Sequence, residues 1–552
     1  MQRKWLIYGI YKAWQKSDAL NPNNFGFKPG CTLDQALRIK NNMIEDARFH
    51  KKELCIFNDD LKRCFDSIER PWMRLALRRL RVPPKLVSYL VDWMDNNQVE
   101  VITGYGPSGD IGPDGVFSDE CGVPQGDTAS PLIFIAVYSM LQDWMDREGH
   151  DAAYAFGALR EGSHSCYTHL GFADDMTYTA GAELQAWVGA RRPGTAADNM
   201  QRLVQKTDEA LGALGVERKT KKCNWASIWW DAEGTERHDP PRRLMTTEYA
   251  PSGKWAVRGT VAEIEFVGPE VTIRDLGLHR STSMLPGEHV KTIMEKLTSR
   301  VASIAKRRLT PVALRYISDC VVQSALLYGE KFAINDEKEI EKVEAPLRRA
   351  FLKAARMARS TPKAVVCGPD ELGGLWEAWE DKLRRTQLEM FANELHDPKM
   401  RPYAMGAVRR LIETTGVTDG IFEPGTDLRL ELAEGSWLGD LVAWAVQKHM
   451  RLELPKVGTT APWEWDLNVK EHLEREWKPA RQGMSEEATD RNRKIKSGIM
   501  QQLQRMGVTW LSDMREDWGK KWTRTCEGGG ADFTATSRLG WPPSLEARCE
   551  SR

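Results

Sequence analysis

The chain has 552 residues, which is too long for one compact core and predicts two to four domains. Its 41% apolar and 28% charged residues are ordinary for a soluble globular protein. The 78 basic residues equal the 78 acidic ones, so the charge of the whole chain gives no support for nucleic-acid binding.

Cysteine usage and hydropathy indicate the compartment. The ten cysteines are scattered, with neither a C-x-x-C pair nor a Cys/His set at the spacing of zinc ligands, so free thiols in a reducing compartment are expected. The longest apolar stretch, residues 130–141, is too short to cross a bilayer, and the N-terminus lacks a signal-peptide cleavage site. We expect a soluble intracellular protein without a membrane partner, in either the nucleus or the cytoplasm.

The N-terminal part of the chain predicts two helices and a strand. The first 50 residues indicate helix, loop and helix, with Asn/Pro and Pro/Gly breakers in the loop. Leu54–Phe57 is a short apolar run that predicts a buried strand ending in acidic residues. Asp66 and Glu69 have the spacing of a capping box, so Asp66 is expected to cap the helix that follows.

The remaining elements alternate between strand and helix patterns. Residues 169–180 predict two short strands joined by a tight acidic turn, and apolar residues from Met200 to Leu214 recur with the period of a helix packed on that sheet. Residues 225–280 have a short, β-like pattern. The chain is then mostly helical, with a disordered tail expected after Cys526, and most of the 21 tryptophans are expected in cores.

Acidic residues occur where the predicted strands end. Asp60 follows the first strand, and Asp174 and Asp175 lie in the predicted acidic turn. An Asp-Asp pair alone usually lies in a solvated turn. A carboxylate at the end of an adjacent strand, however, would complete the hard oxygen donor set that Mg²⁺ requires for two-metal phosphoryl transfer.

Four segments carry a resemblance to a known family. Phe172–Asp175 (FADD) resembles the F/Y-x-D-D box of reverse transcriptases, and Asp60–Asp66 resembles their upstream palm motif, D-x-x-x-A/C-F-D. Gly122–Leu132 is similar to the G-x-P-Q-G-x-x-x-S-P-L segment, and Phe25–Gly30 is similar to the F-G-F-R-P-G fingers motif, with lysine for arginine. The motifs follow the order found in non-LTR retrotransposon reverse transcriptases, and the resemblance covers about residues 21–222, extending more weakly to 374.

The resemblance implies an α+β, right-hand polymerase fold with RNA-directed DNA polymerase activity. The implied divisions are residues 1–50 as partial fingers, 51–285 as palm with inserted fingers segments, 286–375 as helical thumb, and 376–552 as a helical C-terminal region without an assigned role. Implied partners are an RNA template, a DNA primer and dNTPs. The sequence does not identify which proteins, if any, bind this chain.

The resemblance assigns the catalytic and metal-binding roles to Asp60, Asp174 and Asp175, which would hold two Mg²⁺ ions, with Mn²⁺ as an alternative. Asp59 is adjacent, but the spacing to the Cys-Phe-Asp triplet selects Asp60. Phe65 lies where the family has an aromatic residue that excludes a 2′-hydroxyl and favours deoxynucleotides, although a core role is compatible with the same pattern.

Three further residues would contact the nucleotide. Gln125 would contact the templating pair or the incoming nucleotide, and Lys28 would neutralise the triphosphate, without the bidentate contact that arginine makes. Lys222 resembles the lysine of the N-x-x-K box near the leaving phosphate. Because Lys219 replaces the usual asparagine of that box, a solvated basic turn is nearly as good an interpretation of Lys222.

The downstream segments would bind the template–primer. Arg274–Leu278 is similar to the primer-grip hairpin, which places Gly277 near the primer, and residues 287–329 resemble the helical thumb. Residues 286–363 carry more basic than acidic side chains, and Lys306, Arg307 and Arg308 are predicted to contact the nucleic-acid backbone. A solvated helix surface remains the alternative for each of these charges.

Two other functions stay open at this point. The chain begins only about twenty residues before the fingers motif, where family members usually carry more fingers, which is typical of a catalytically weak or inactive nucleic-acid-binding remnant. A group II intron-like maturase would share the palm motifs. Its P-Q-G segment typically continues G-G-I-I-S-P-L, whereas this one continues D-T-A-S-P-L.

Overall fold

The computed structural model of the chain describes residues between 2 and 455. The residues left out are 1, 96–97, 101, 105, 108–115, 119–120, 125, 158–164, 184–193, 238, 248–259, 272, 277, 285–290, 292–293, 296–302, 304–305, 307–312, 314–315, 334–336, 356, 360–377, 425–434, 449 and 456–552. The predicted disordered tail and most of the first predicted thumb helix therefore lie outside the described residues.

Helices and short strands alternate along the described residues. The helices are α1 (Gln2–Ser17), α2 (Leu33–Phe49), α3 (Cys64–Ser67), α4 (Arg70–Arg79), α5 (Pro84–Asp95), α6 (Ser130–Glu148), α7 (Ala196–Leu214), α8 (Gln323–Glu330), α9 (Glu337–Ala354), α10 (Trp379–His396), α11 (Arg401–Thr415) and α12 (Trp437–Gln447). Single 3-10 turns lie at His150–Ala152 and Thr220–Lys222, and a π-helical segment, Ile317–Val322, precedes α8.

The strands are mostly short. They are β1 (Leu54–Asp59), β2 (Leu61–Lys62), β3 (Gln98–Glu100), β4 (Ile102–Thr103), β5 (Gly106–Pro107), β6 (Val116–Ser118), β7 (Tyr154–Phe156), β8 (Ser165–Tyr167), β9 (His169–Phe172), β10 (Asp175–Ala180), β11 (Glu217–Arg218), β12 (Asn224–Trp230), β13 (Glu236–Arg237), β14 (Met245–Thr247), β15 (Val261–Glu263), β16 (Glu265–Phe266), β17 (Ile273–Asp275), β18 (Leu278–Arg280), β19 (Ile421–Phe422) and β20 (Leu452–Glu453). The predicted strand at Leu54 and the predicted hairpin at 169–180 are confirmed.

One antiparallel sheet organises these elements. Its strand order is β13–β12–β1–β10–β9, and β16 pairs with β12 in parallel. Strand β1 lies between β10 and β12, with Asp59 opposite Met176 on one side and Asn58 opposite Asn224 on the other. The strand end that carries the predicted metal ligand is therefore in the middle of the sheet.

The side chains of β1 alternate between two apolar cores. Cys55 and Phe57 are buried in the core that contains α4 to α7, whereas Leu54 and Ile56 are buried in the core that contains α2. Because both faces of the strand are covered, it has a continuous apolar sequence rather than an alternating one.

Helix α7 confirms the predicted 3.6-residue pattern. Thr195 and Asp198 form a capping box at its N-terminus, and Gly215 ends it in the left-handed conformation, with φ 73°. Leu203 and Val204 are buried in the core beneath the sheet. These local signals explain why the sequence predicts this helix so clearly.

The predicted cap of α4 is wrong. Asp66 lies inside the short helix α3, and α4 begins at Arg70, with Glu69 in the N-cap position and no side-chain hydrogen bond at the cap. Pro71, in the first turn of α4, favours this start because proline lacks the N–H that a helix N-terminus leaves unsatisfied. The spacing of a capping box was present, but Asp66 lies within α3, and α4 begins four residues after it.

The described C-terminal helices pack against α2. The Arg38 guanidinium forms an ion pair with Glu394 at 2.8 Å and lies 3.6 Å from the centre of the Trp437 ring. Arg410 of α11 donates to the side chains of Asn42 and Glu45 on the same helix. Residues 376–473 belong to one compact unit with residues 1–360, and the second unit, residues 361–375 and 474–552, lies outside the described part.

Two compartment predictions can be compared with the described residues. None of their helices is long and apolar enough to span a membrane. Their cysteines are all free thiols, in agreement with the absence of paired motifs in the sequence.

Candidate active site

The three predicted metal ligands lie at one end of the central sheet. Asp60 directly follows β1, and Asp174 is in the two-residue turn between β9 and β10. Asp59 pairs with Met176, and Asp60 and Asp175 are the next residues of the two segments at that end of the ladder. The sheet therefore brings together carboxylates that are more than a hundred residues apart in the chain.

The acidic turn is supported by the segment that resembles the fingers motif. The Phe25 N–H donates to the Gly171 carbonyl at 2.8 Å, and the Gly171 N–H donates to the Asn23 carbonyl at 2.9 Å. A Cβ atom at Gly26 would collide with the main chain of Ala173, which itself has a φ of 56°. Glycine is required at position 26 because only a bare backbone can approach the turn so closely.

Asp59 and Asp60 have different environments. The Asp59 side chain is fully buried and receives two hydrogen bonds from the Arg218 guanidinium, at 2.7 and 2.8 Å. Arg218 also contacts the buried carboxylate of Asp208. The Asp60 side chain is 35% exposed. The Asp59 carboxylate is thus part of a buried ion-pair network, whereas the Asp60 carboxylate is partly exposed at the end of the sheet.

Asp60 has a lysine partner that the sequence did not identify. The Lys219 Nζ lies 3.0 Å from Asp60 Oδ1, yet the pair is not aligned as a hydrogen bond, and this oxygen accepts none within the described residues. The Lys219 N–H donates to the Asp60 carbonyl at 2.8 Å. The only sequence signal was that lysine stands where the family box has asparagine.

The carboxylates at this sheet end raise the proton affinity of Asp175. Partial desolvation, followed by the negative charges of Asp174, Asp275 and Asp60, raises the pKa of Asp175 to about 6, although the residue retains solvent-accessible surface. The nearby Lys40 opposes this shift of the pKa. The site therefore concentrates negative charge, which is the electrostatic condition for binding a cation.

Asp175→Asn is expected to raise the melting temperature in EDTA at pH 8 by about 1–2 °C. Because the folded-state pKa of Asp175 is raised to about 6, ionisation favours the unfolded chain: the cost is absent below about pH 4, grows between pH 4 and 6, and is complete above pH 6. The gain should therefore be smaller at pH 5, as measured by differential scanning fluorimetry. A lower melting temperature of the variant at pH 8 would contradict this.

Asp231→Asn provides a control of opposite sign. Hydrogen bonds from the Thr235 N–H and then from the Arg237 guanidinium lower the pKa of the Asp231 carboxyl. Its carboxylate therefore stabilises the fold above its normal pKa, and the Asn variant should melt at a lower temperature at pH 8.

The donor chemistry of this sheet end fits a divalent metal ion. In the described part of the chain, no three carboxylate, histidine or cysteine side chains stand close enough to hold an ion as they are. Asp60 Oδ1 is nevertheless shielded from water and lacks a hydrogen bond, and Asp175 lies in excess negative charge. Carboxylate oxygens are the ligands that Mg²⁺ prefers, so the donor atoms of these residues are of the type that binds this ion.

Phe65 lies in an aromatic cluster beside the carboxylates. Its half-buried ring stacks on Phe134 with centroids 4.0 Å apart, and Phe27 packs against both rings edge-on. These ring contacts restrict the positions that the Phe65 ring can take. The steric and core interpretations of Phe65 are therefore compatible.

The segment that resembles the P-Q-G motif is attached to the backbone around Phe65. The Val123 N–H donates to the Phe65 carbonyl, and the Gly122 N–H donates to the Ile68 carbonyl, each at 2.8 Å. The buried Arg70 guanidinium contacts the Gly122 carbonyl. Gly122 has a φ of 76°, and a Cβ atom there would collide with the main chain of Asp66.

The predicted nucleotide contacts have different outcomes. Lys28 is buried, its ammonium donates to the carbonyls of Leu20 and Asn21 at 3.4 and 3.0 Å, and burial lowers its pKa. Its ammonium is thus engaged with the main chain, and the triphosphate role stays a prediction. Lys222 is exposed in the 3-10 turn, and Gln125 lies outside the described residues.

The predicted primer-grip hairpin is held beside Asp175. Asp275 forms a buried ion pair with Lys40 of α2 at 2.7 Å, and the Tyr328 hydroxyl donates to the Leu276 carbonyl at 3.0 Å. Leu276 is in the turn of the hairpin, with a φ of 50°. Helices α2 and α8 therefore hold the hairpin from two sides.

The other predicted nucleic-acid contacts are mostly outside the described residues. Lys306 is described and exposed, whereas Gly277, Arg307 and Arg308 are not described. The contribution of these residues to binding stays a prediction.

The comparisons with known proteins agree with this geometry. Residues 7–271 match the family described as reverse transcriptase (RNA-dependent DNA polymerase). A region of 189 residues is 31% identical to the retrovirus-related Pol polyprotein from the type-1 retrotransposable element R2 of Nasonia vitripennis. Residues 7–271 therefore carry a reverse transcriptase domain. The right-hand polymerase fold predicted from the motifs is therefore confirmed for this reverse transcriptase domain.

The matched relatives differ from this chain in extent. The aligned region covers 34% of the chain and 15% of the R2 polyprotein, so the chain spans a small part of that relative. The apo telomerase of Candida tropicalis truncated at its C-terminal domain has a TM-score of 0.29 at 11% identity, covering 47% of this chain and 44% of that one. The telomerase of Candida albicans in complex with a fragment of telomeric RNA has a TM-score of 0.28 at 10% identity, covering 73% and 57%. Structural similarity at this level is too low to define a fold.

Proposed function

We propose that this chain is an RNA-directed DNA polymerase of a non-LTR retroelement, which extends a DNA primer on an RNA template with dNTPs. The observation that carries the proposal is the convergence of Asp60 with Asp174 and Asp175 at one sheet end, within a reverse transcriptase domain. Asp59 is not included among the proposed metal ligands, because its side chain is buried in an ion pair with Arg218. Burial, and then the negative charges of Asp174, Asp275 and Asp60, raise the pKa of Asp175, and those neighbouring carboxylates would attract cations.

Asp60, Asp174 and Asp175 would hold two Mg²⁺ ions, with Mn²⁺ as an alternative. When bound, the ions would activate the primer 3′-hydroxyl and neutralise charge on the leaving pyrophosphate. The protein would contribute the fixed positions of the carboxylates, because the turn that carries Asp174 is supported by Gly26 and its hydrogen-bonded neighbours. Positioning of this kind supplies much of the catalysis of nucleotidyl transfer.

Phe65, Gln125, Lys28 and Lys222 would form the nucleotide site. Phe65 is supported in this role by its stacking on Phe134, since a ring packed against a neighbour can exclude an extra hydroxyl group by steric overlap. Lys222 is exposed and free to move toward a phosphate. Lys28 would have to leave the two main-chain carbonyls to which it is bound.

The template–primer would lie across the sheet end and the predicted thumb. Gly277, Lys306, Arg307 and Arg308 are the proposed contacts, through the primer-grip turn and the phosphate backbone. Such contacts are independent of sequence and weaken with salt. The domain divisions at residues 50, 285 and 375 are part of this proposal. The described helices α10 to α12 would contribute by supporting α2, which holds Asp275 through Lys40.

The primary test is primer extension by the purified full chain. An RNA template annealed to a DNA primer, with dNTPs and Mg²⁺, should give full-length DNA, and Asp174→Ala should give none. Equal inactivity of wild type and Asp174→Ala on RNA and DNA templates, with either Mg²⁺ or Mn²⁺, would contradict the proposal.

Phe65→Val is expected to raise incorporation of ribonucleotides relative to deoxynucleotides by about 10- to 200-fold, the range for the loss of a packing contact with a substrate. The smaller side chain would open the space that a 2′-hydroxyl needs. Single-nucleotide insertion kinetics with dATP and ATP measure the ratio. Phe65→Tyr keeps the ring and should keep the discrimination, and a ratio unchanged in Phe65→Val would show that Phe65 is only a core residue.

A further inference from the structure

Two consecutive basic residues face two consecutive aspartates at the active-site end of the sheet. Strand β11 pairs with β2, with Arg218 opposite Leu61, and the same register places Lys219 opposite Asp60. Arg218 binds Asp59, and Lys219 binds Asp60. The register of the short ladder between β2 and β11 therefore determines which basic side chain pairs with which aspartate.

The two ion pairs have opposite properties. The Arg218–Asp59 pair is buried, bidentate and further tied to Asp208. The Lys219–Asp60 pair has a single ionic contact of 3.0 Å that is not aligned as a hydrogen bond, and its side chains are 37% and 35% exposed. Breaking a buried bidentate pair is costly, whereas an exposed single contact contributes little and is readily exchanged.

We propose that Lys219 is an exchangeable counter-ion of Asp60. In the metal-free protein the Lys219 ammonium lies against this carboxylate where a metal ion would bind, and it moves away when a divalent ion binds. The inference rests on the proposed two-metal site. It assigns a role to a position where the family box, by the resemblance, has asparagine. A neutral amide could not supply this charge.

The physical reason is the mutual repulsion of the carboxylates. Asp60, Asp174 and Asp175 lie at the same end of the sheet, and like charges so placed repel one another, so the metal-free site benefits from a nearby positive charge. A flexible ammonium is suited to this task, because it is a point charge on a long stem that can swing away. The rigid guanidinium of Arg218 is held by two aspartates and could not exchange.

Other basic residues near the site do not have this arrangement. Lys40 is buried in its pair with Asp275. Lys221 and Lys222 are exposed in the 3-10 turn that follows Lys219. Lys221 therefore provides a matched control: it carries the same charge two residues away and makes no ion pair with Asp60 in the structure.

The test is direct measurement of Mn²⁺ binding to the full chain, with free Mn²⁺ quantified by electron paramagnetic resonance and no nucleic acid present. Lys219→Gln is expected to lower the Kd for Mn²⁺ by about 3- to 5-fold relative to Lys221→Gln, since the ion no longer competes with the ammonium. Lys219→Arg retains the positive charge, so its Kd should equal or exceed that of the wild type. Melting temperatures confirm that each variant is folded.

The outcomes separate this inference from the proposed function. A Kd of Lys219→Gln equal to or higher than that of Lys221→Gln would overturn the counter-ion role while leaving the metal site intact. Wild-type binding no stronger than that of Asp60→Asn would remove the proposed metal site itself, and the counter-ion role with it.

Discussion

Replacing Asp60 by asparagine is expected to lower primer extension on an RNA template by about a thousandfold or more, with the fold unchanged. A neutral amide is a much weaker ligand to a catalytic Mg²⁺ than a carboxylate, and several kcal/mol of transition-state stabilisation would be lost. The structure predicts that the fold tolerates this change, because the Asp60 side chain is 35% exposed and its partner Lys219 can turn to solvent. Single-turnover extension rates and thermal melting of the same preparation measure the two effects.

The outcome is informative only if the variant protein is folded. A melting temperature within about 2 °C of wild type, together with lost extension, would assign the effect to chemistry. Extension within tenfold of wild type would contradict a metal-ligand role for Asp60.

Replacing the adjacent Asp59 by asparagine is expected to have the opposite effect: it should destabilise the fold by about 3 kcal/mol or more. The variant leaves the buried Arg218 guanidinium without its bidentate partner, and the remaining acid, Asp208, lies on the other side of the group. Removing one member of a buried ion pair is costly because the remaining charge is desolvated and uncompensated. Urea denaturation followed by tryptophan fluorescence measures the change.

The Asp59 and Asp60 variants form a matched pair, since they are the same substitution at neighbouring positions. Where the Asp59→Asn protein remains folded, it should retain extension activity per folded molecule. If Asp59→Asn instead melted like the wild type and lost extension, the roles of the two aspartates would have to be exchanged.

The C-terminal helices show a limit of sequence-based reasoning. From the sequence, residues 376–552 were a helical region without a role. In the structure, its described helices are attached to α2 by the Arg38–Glu394 and Arg410–Glu45 ion pairs. These partners are more than 350 residues apart, so no local pattern could have paired them. The same α2 carries Lys40, whose partner Asp275 lies in the predicted primer-grip hairpin.

The prediction for Asp66 shows how a local signal can mislead. The spacing of Asp66 and Glu69 is that of a capping box, yet α4 begins only at Arg70. Asp66 is instead used through its backbone, which is contacted by the bare Gly122 of the neighbouring segment. Tertiary packing of the two motifs outweighed a capping interaction of about 1 kcal/mol.

The sequence by itself determined the elements whose signals are local. These include the buried strand β1, the acidic hairpin and helix α7. Only the tertiary structure decided which side chains pair with the neighbouring aspartates Asp59 and Asp60. Lys219 on Asp60 and Arg218 on Asp59 depend on the register between two two-residue strands that are more than 150 residues apart. A shift of that register by one residue would turn each side chain to the other face of the ladder, so only the folded arrangement determines the pairing.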